Sequence, residues 1–127
     1  MSIHESGQMY LETIYILSQT KSYVRAIDVG EHLGYSKPSV SRVMSILKKN
    51  GYVLVDSDGA ITLTESGMEI AQTMYTRHTV LSEMLIRLGV DEKTATEDAC
   101  RIEHVISAAS FSAIQQHVKQ SLGKIDD

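Results

Sequence analysis

The 127-residue chain contains one cysteine, one proline, one phenylalanine and no tryptophan. A single cysteine cannot form an internal disulfide, so its thiol is available for chemistry or for metal ligation. No apolar run approaches the roughly 18–20 residues that a membrane-spanning helix needs. The N-terminus also lacks the basic and then apolar segments of a signal peptide. We therefore expect a cytoplasmic protein of one or two small domains that does not interact with a membrane.

The net charge of −4 is unevenly distributed along the chain. Between Ser36 and Asn50 there is no acidic residue, and the charged residues are Lys37, Arg42, Lys48 and Lys49. Because nucleic-acid binding depends on a local patch and not on the net charge, this stretch is a candidate DNA-binding element. The alternative interpretation of the same charges is an ordinary solvated helix face.

The basic stretch belongs to a pattern that is typical of a helix-turn-helix. Apolar spacing predicts helices over residues 8–19 and 26–33, and Gly34 favours the end of the second one. Ser36 then suits the N-cap of a third helix, with Pro38 tolerated in its first turn. In such a motif the last helix lies in the major groove, where its first turns touch base edges.

The following segment predicts a β-hairpin. Two β-rich runs at residues 52–55 and 60–63 flank Asp56-Ser57-Asp58-Gly59. The Asp-Gly pair suits the positive φ angles of a tight turn. A hairpin directly after a helix-turn-helix forms a wing. We therefore predict a mainly α fold that begins with a winged helix-turn-helix domain at residues 1–64.

The remainder, residues 65–127, is predicted to be a second, helical domain. Thr64 and Asp91 suit the N-caps of helices over about residues 65–88 and 92–106, and Ser107 or Ser110 that of a last helix. The chain ends, residues 1–7 and 123–127, are expected to be loosely held.

The stretch Cys100-Arg101-Ile102-Glu103-His104 gathers the side chains with the richest chemistry. In a helix, Cys100, Glu103 and His104 share one face because their spacing is i, i+3, i+4. A thiol, a carboxylate and an imidazole together can bind a borderline divalent metal. The alternative is an amphipathic helix with one buried cysteine. His78 lies on the apolar stripe of the preceding helix. It is either a further metal ligand or a core histidine that is hydrogen-bonded to a neighbour.

Four stretches, in chain order, resemble the iron- and manganese-dependent repressors typified by the diphtheria toxin repressor and the manganese transport regulator. They are Met9-Tyr10-Leu11-Glu12-Thr13-Ile14-Tyr15, Ser36-Lys37-Pro38-Ser39-Val40-Ser41, Arg77-His78 and Ala99-Cys100-Arg101-Ile102-Glu103-His104. The resemblance implies a winged helix followed by a helical dimerisation and metal-sensing domain, in a short form without the SH3-like domain of longer members. It further implies a homodimer that binds double-stranded operator DNA and represses, usually, metal uptake.

The resemblance also implies a ligand set that mixes the two branches of the family. The candidate ligands are Met9, Glu12, His78, Cys100, Glu103 and His104. Met9, Cys100, Glu103 and His104 match the primary site of iron-type members, Glu12 matches a ligand position of manganese-type members, and His78 matches both.

Two positions depart from the iron-type pattern of a second metal site. Thr96 stands where a histidine is expected, four residues before the cysteine. Ser82 stands where a carboxylate is expected, four residues after His78, with Glu83 one place further on.

The chemistry of the donors predicts the metal. Met and Cys are soft ligands and Glu and His are harder, a combination that favours Fe(II), Co(II), Ni(II) or Zn(II) over Mn(II). We expect Fe(II) as the co-repressor, with Mn(II) as the alternative because Glu12 adds a hard ligand.

Two groups of residues are expected to contact DNA. Phosphate contacts or patch charges are expected from Arg25, Lys37, Arg42, Lys48 and Lys49. Small side chains that permit close approach to thymine methyl groups are expected from Ser36, Pro38, Ser39 and Ser41. Because few long side chains occur at the start of this helix, we expect DNA shape to contribute to specificity.

We therefore predict a metal-dependent transcriptional repressor that controls metal-homeostasis genes and uses no organic cofactor. One rival is a winged-helix regulator that senses oxidants through Cys100 without metal. The other is a metalloenzyme. Because the sequence contains neither a His-Glu-x-x-His helix nor a Gly-rich phosphate loop, we do not expect an enzyme.

Overall fold

The computed structural model describes the backbone of residues 5–126 and the side chains of residues 5–120. Within these residues, the elements in chain order are α1 (Glu5–Ser18), α2 (Ala26–Leu33), α3 (Lys37–Lys49), β1 (Val53–Val55), β2 (Ile61–Leu63), α4 (Glu65–Arg87), α5 (Glu92–Ile102) and α6 (Ala108–Asp126). The predicted mainly α fold with a winged helix-turn-helix is confirmed.

The chain divides into two compact units, Met1–Thr73 and Met74–Asp127. The division lies inside α4, so this helix contributes residues to both units. The predicted domain boundary at residue 64 remains a prediction, because a division by compactness assigns the first turns of α4 to the unit that they pack against.

The first unit is built around an apolar core to which α1, α2, α3 and the hairpin all contribute. Tyr10, Leu11 and Ile14 of α1 are almost fully buried, and so are Val29 of α2 and Leu47 of α3. The spacing of the α1 residues places them on one helix face, as the sequence predicts. This core fixes α3 against the other elements of the unit.

The turn between α2 and α3 follows from two residues. Gly34 has a φ of 75° at the end of α2, a left-handed conformation that costs glycine little. Its N–H donates to the Gly30 carbonyl at 2.8 Å. Ser36 is the N-cap of α3, where its hydroxyl oxygen accepts the Ser39 N–H at 3.3 Å. The predicted cap is therefore confirmed.

The wing is a short antiparallel hairpin in which Val53 pairs with Leu63 and Val55 with Ile61. Asp56 organises its turn, since one carboxylate oxygen accepts the backbone N–H groups of both Asp58 and Ala60 at 2.9 Å. An additional backbone bond, from the Ile61 N–H to the Val24 carbonyl at 2.7 Å, ties the hairpin to the segment before α2.

Gly67, in the first turn of α4, lies against the start of the hairpin. A Cβ atom at this position would meet the Tyr52 carbonyl oxygen, so only glycine permits this close approach. Thr64 holds the same junction, because its hydroxyl donates to the Gly51 carbonyl at 2.7 Å and accepts the Gly67 N–H at 3.2 Å. The predicted Thr64 cap is confirmed.

In the second unit the predicted start of α5 is confirmed but its predicted end is wrong. Asp91 is the N-cap and accepts the Thr94 N–H at 3.0 Å. The helix ends at Ile102 instead of residue 106, and Glu103 is the C-cap. Glu103 still has the αR conformation and its N–H donates to the Ala99 carbonyl at 3.0 Å, whereas His104 follows the last turn of the helix. The trio therefore does not lie within one uninterrupted helix.

The ends of the chain are more helical than expected. The helix α1 begins at Glu5, and α6 is capped by Ser107 and continues to Asp126. A single glycine in the last turns, Gly123, costs a helix only about 1 kcal/mol and does not by itself end it. The remaining residues of the expected loose ends, 1–4 and 127, lie outside the described part of the chain.

Candidate metal centre and nucleic-acid interface

Three of the six predicted metal ligands lie together in the second unit. The Glu103 carboxylate contacts two imidazoles, with Oε2 at 3.2 Å from His78 Nδ1 and Oε1 at 3.3 Å from His104 Nε2. The Glu103 side chain is completely buried. Burying a carboxylate is costly unless polar or charged groups compensate it. A carboxylate and two imidazoles are donor types that suit a divalent transition metal.

The backbone of Glu103 is held by a residue that the sequence reasoning did not assign to the site. The Arg77 guanidinium donates through Nη1 to the Glu103 carbonyl at 3.1 Å and to the Ile106 carbonyl at 3.0 Å. The guanidinium also lies 5.7 Å from the centre of the Phe111 ring, a cation–π contact. Arg77 therefore fixes the turn after α5, which positions the Glu103 side chain toward His78.

Cys100 lies on the last turn of α5, three residues before Glu103, and is half-buried. It is thus placed on the helix that leads into the Glu103–His104 turn. A thiolate is a soft ligand, and it binds metal only after losing its proton.

The other two predicted ligands, Met9 and Glu12, lie on α1 in the first unit. Glu12 is buried, with 6% of its surface exposed, although it is a carboxylate. The Met9 sulfur accepts a hydrogen bond from the Tyr35 hydroxyl, with Oη and Sδ 3.7 Å apart. Met9 and Glu12 are three residues apart and therefore neighbours along one side of the helix.

The predicted DNA-binding residues lie on the surface of the first unit. Those exposed to solvent are Arg25, Ser36, Lys37, Pro38, Ser41, Arg42, Lys48 and Lys49, whereas Ser39 is half-buried. The Ser36 hydroxyl donates to the Ser39 hydroxyl at 3.0 Å and accepts the Ser39 N–H. These two serines are therefore engaged in capping α3, which leaves Ser41 and Arg42 as the exposed residues of the next turn.

Arg25 has a structural contact besides its predicted contact with DNA. Its Nε donates to the Asp58 carbonyl in the hairpin turn at 3.2 Å. Its backbone N–H donates to Asp28 Oδ2 at 2.9 Å, and this bond is the main reason that the pKa of Asp28 lies below its ordinary value. Arg25 thus joins the start of α2 to the tip of the wing.

Two further residues of α3 are exposed beside the predicted contacts. They are Ser45 and Ile46, and the Ile46 side chain is 53% exposed. The sequence contained a signal for Ile46, since it is an isoleucine between basic residues and apolar side chains contact thymine methyl groups in the major groove. For Arg77, which the sequence reasoning did not assign to the metal centre, the only signal was its position directly before His78.

Both parts of the chain match descriptions of one protein family. Residues 2–61 match the iron dependent repressor N-terminal DNA binding domain. Residues 64–121 match the iron dependent repressor metal binding and dimerisation domain. Curated relatives exceed 30% identity over most of their length. The chain belongs to the iron-dependent repressor family.

The relatives include both bacterial and archaeal regulators. The HTH-type transcriptional regulator MntR of Lysinibacillus sphaericus (strain C3-41) is 33% identical over 114 residues, which cover 90% of this chain and 82% of that protein. MntR of Bacillus subtilis (strain 168) is 33% identical over 109 residues, covering 86% and 77%. An uncharacterized HTH-type transcriptional regulator of Methanocaldococcus jannaschii is 33% identical over 105 residues, covering 81% and 84%.

Solved structures of similar regulators have the same fold. A manganese-dependent transcriptional repressor in complex with manganese matches with a TM-score of 0.81 and 29% identity. The match covers 89% of this chain and 52% of that one. IdeR of T. acidophilum matches with a TM-score of 0.77 and 25% identity, covering 97% and 55%. This chain therefore spans about half the length of these solved regulators.

Membership of this family confirms several predictions at the family level. Its members are metal-dependent, DNA-binding transcriptional repressors and not enzymes, so the metalloenzyme rival is excluded. The oxidant-sensing rival gains no support from these relatives. Among the residues that the structure describes, no helix combines the length and apolar character that crossing a membrane requires.

Proposed function

We propose that this protein is a homodimeric repressor that binds operator DNA when a divalent transition metal is bound. The observation that carries the proposal is the buried contact of the Glu103 carboxylate with His78 and His104 in the second unit. An ordinary core histidine needs one hydrogen-bonding partner. Two imidazoles that contact one buried carboxylate instead bring together the hard and borderline donor types of a metal site.

The proposed ligand set adds residues from α1 and α5 to this cluster. The full set is Met9, Glu12, His78, Cys100, Glu103 and His104. When bound, the metal supplies a positive charge that offsets buried carboxylates, and coordination bonds that these side chains share. This assignment rests on donor chemistry together with the family resemblance.

We propose Fe(II) as the preferred metal over Mn(II). Met9 and Cys100 are soft donors, and Mn(II) gains least from such ligands. The description of one solved neighbour points the other way, since that protein is a manganese-dependent repressor in complex with manganese. Glu12 adds a second hard carboxylate to the set, which would favour Mn(II).

The proposed DNA interface is the exposed side of α3. Lys37, Arg42, Lys48 and Lys49 would contact phosphates, which gives affinity that falls with salt concentration. Ser41, with the exposed Ile46 nearby, would lie close to base edges. In a two-fold dimer, two copies of α3 would enter successive major grooves.

Metal would act as co-repressor by binding the DNA-competent state more tightly than other states. Of its proposed ligands, Met9 and Glu12 lie on α1, and the others lie on α4, on α5 or in the turn that follows α5. A coupling of about 1–3 kcal/mol would strengthen operator binding roughly 5–150-fold. This difference can be measured with DNA duplexes that the metal-bound protein selects from a random library. Their affinity for the protein would be compared in the presence and absence of metal.

The test is an anaerobic calorimetric titration of metal-free protein with Fe(II) and, in parallel, Mn(II). We expect stoichiometric binding, tighter for Fe(II), that Glu103→Gln and Cys100→Ala weaken at least about tenfold, since second-shell changes alone cost 10–100-fold. Glu97→Gln is the matched control, because Glu97 is an exposed carboxylate on the same helix. Absence of binding by either ion would refute the proposed function, whereas tighter binding of Mn(II) would refute only the preference for iron.

A further inference from the structure

The Tyr35 hydroxyl connects two functional parts of the first unit. It donates a hydrogen bond to Met9 Sδ, with the two atoms 3.7 Å apart. Met9 is the soft ligand proposed on α1, and Tyr35 lies in the turn between α2 and α3. A thioether sulfur is a weak acceptor with two lone pairs, so it can accept this bond and still offer one lone pair to a metal.

The position of Tyr35 is fixed on both sides. Its backbone N–H donates to the Gly30 carbonyl at 3.1 Å, and the next residue, Ser36, is the N-cap of α3. Its ring lies 6.1 Å from the ring of Tyr10, which is almost fully buried on α1. The ring contact and the hydroxyl bond therefore both join the turn before α3 to α1.

Such a partner matters for Met9 because its side chain is flexible. Its side chain has three rotatable bonds and little intrinsic preference among them. A ligand that must be ordered when metal binds costs affinity, whereas a ligand held in place beforehand does not. The hydrogen bond from Tyr35 limits the positions that the sulfur can take.

We propose that Tyr35 is a positioning residue that holds the Met9 thioether ready for a thiophilic metal and links that ligand to the turn before α3. This inference rests on the proposed metal site and adds a regulatory contact to it. Thermodynamic linkage is reciprocal: if the bond from Tyr35 favours metal binding at the Met9 sulfur, then bound metal favours that bond. Metal occupancy would therefore stabilise the position of the turn that ends in the N-cap of α3.

The test compares Tyr35→Phe with the parent protein in titrations with Cd(II), a thiophilic ion, and Mn(II). The substitution removes the hydroxyl and keeps the ring. We expect the affinity for Cd(II) to fall about two- to fivefold, as suits one weak hydrogen bond, and the affinity for Mn(II) to change little. Tyr23→Phe, which removes an exposed hydroxyl of the same unit, should leave both affinities unchanged.

A double-mutant cycle separates positioning from a general structural effect. In the Met9→Leu background, which lacks the sulfur, Tyr35→Phe should have no further effect on Cd(II) affinity. In protein labelled with fluorotyrosine, Cd(II) should shift the fluorine resonance of Tyr35, and Met9→Leu should abolish this shift. Equal losses for both ions, additive effects in the cycle, or tighter Cd(II) binding by Tyr35→Phe would overturn the inference.

The outcomes also distinguish this inference from the proposed function. If the parent protein binds neither Cd(II) nor Mn(II), the metal site itself is refuted. If the parent binds both ions and Tyr35→Phe behaves as the parent does, the metal site stands and the role of Tyr35 is refuted.

Discussion

The two units of this protein differ in what their interiors contain. The first unit encloses large apolar side chains, among them Tyr10, Leu11, Ile14 and Leu47. In the second unit the buried apolar residues include Met74, Leu81, Ala95, Ala99 and Val118, and the Glu103 carboxylate is fully buried as well. The first interior gains stability mainly from the large apolar area that it removes from water, whereas the second depends in addition on the contacts of Glu103 with two imidazoles.

This difference matches a division of labour. A DNA-reading unit must present α3 in a fixed orientation, and a well-packed core provides that. A sensing unit must change its free energy when a ligand binds, and a buried carboxylate with two imidazoles can do so because a cation alters its electrostatics. The largest effects of substitution should therefore come from packing in the first unit and from polar contacts in the second.

The largest expected effect is Leu47→Ala, which tests the apolar part of the comparison. Leu47 is 1% exposed in the core of the first unit. We expect the free energy of unfolding to fall by about 2–5 kcal/mol through lost burial and a residual cavity. The measurement is urea denaturation followed by circular dichroism. The control is Leu54→Ala on the exposed side of β1, which should change the stability by less than about 0.5 kcal/mol.

An intermediate effect is expected from Arg77→Met, which tests the polar part of the comparison. The substitution removes the donor to the Glu103 and Ile106 carbonyls and keeps the aliphatic length. We expect a loss of about 1–3 kcal/mol in the free energy of unfolding, because two partly buried carbonyls lose their donor. Metal affinity should also fall, since Glu103 is no longer held.

Arg87→Met is the matched control for this prediction on the same helix. Arg87 makes an i,i+4 ion pair with Glu83 at 3.1 Å near the surface. Such pairs contribute roughly 0.3–0.5 kcal/mol. If Arg77→Met costs no more than Arg87→Met, the polar interior of the second unit does not carry the stability that we assign to it.

The smallest expected effect is the loss of stability at acidic pH, which should be similar in the two units. The pKa of Asp28 near the start of α2 and that of Asp91 at the start of α5 both lie below the ordinary value of 3.8, chiefly because a backbone N–H donates to the carboxylate. The folded state thus binds the proton less tightly than the unfolded state. The contribution to stability is present above about pH 3.8 and is lost as the pH falls through the lower folded value.

Asp91→Asn tests whether the charge of the cap causes this pH dependence, because asparagine keeps a capping oxygen and loses the charge. We expect the melting temperature of the variant to depend less on pH than that of the parent below about pH 4. Asp91→Ala should lower the melting temperature at neutral pH as well. A parent and an Asn variant with parallel pH profiles would contradict the assignment of this carboxylate as a charged cap.

Much of the local structure could be predicted from single residues and their neighbours. Ser36, Thr64 and Asp91 were predicted as N-caps, and each accepts the backbone N–H expected of a cap. Such bonds join residues three apart, so the sequence contains all the information they require. The hairpin turn is equally local, since Asp56 bonds to residues two and four places ahead.

The end of α5 could not be predicted in the same way. Apolar periodicity continues to Ile106, and no glycine or proline interrupts it. The helix ends at Ile102, and the carbonyls of Glu103 and Ile106 accept bonds from Arg77, which lies 26 and 29 residues earlier in the chain. Apolar periodicity depends only on residues within a few helical turns, so it cannot predict bonds from a residue as distant as Arg77.

The sequence by itself determined the order of the elements, their caps, the basic exposed side of α3 and which side chains carry metal-binding chemistry. Only the tertiary structure decided that Glu103 meets His78 and His104 after the end of α5, and that Tyr35 reaches the sulfur of Met9. The physical reason is the range of the interactions. Caps and helix faces are set by residues three or four apart, whereas these contacts depend on how distant segments pack.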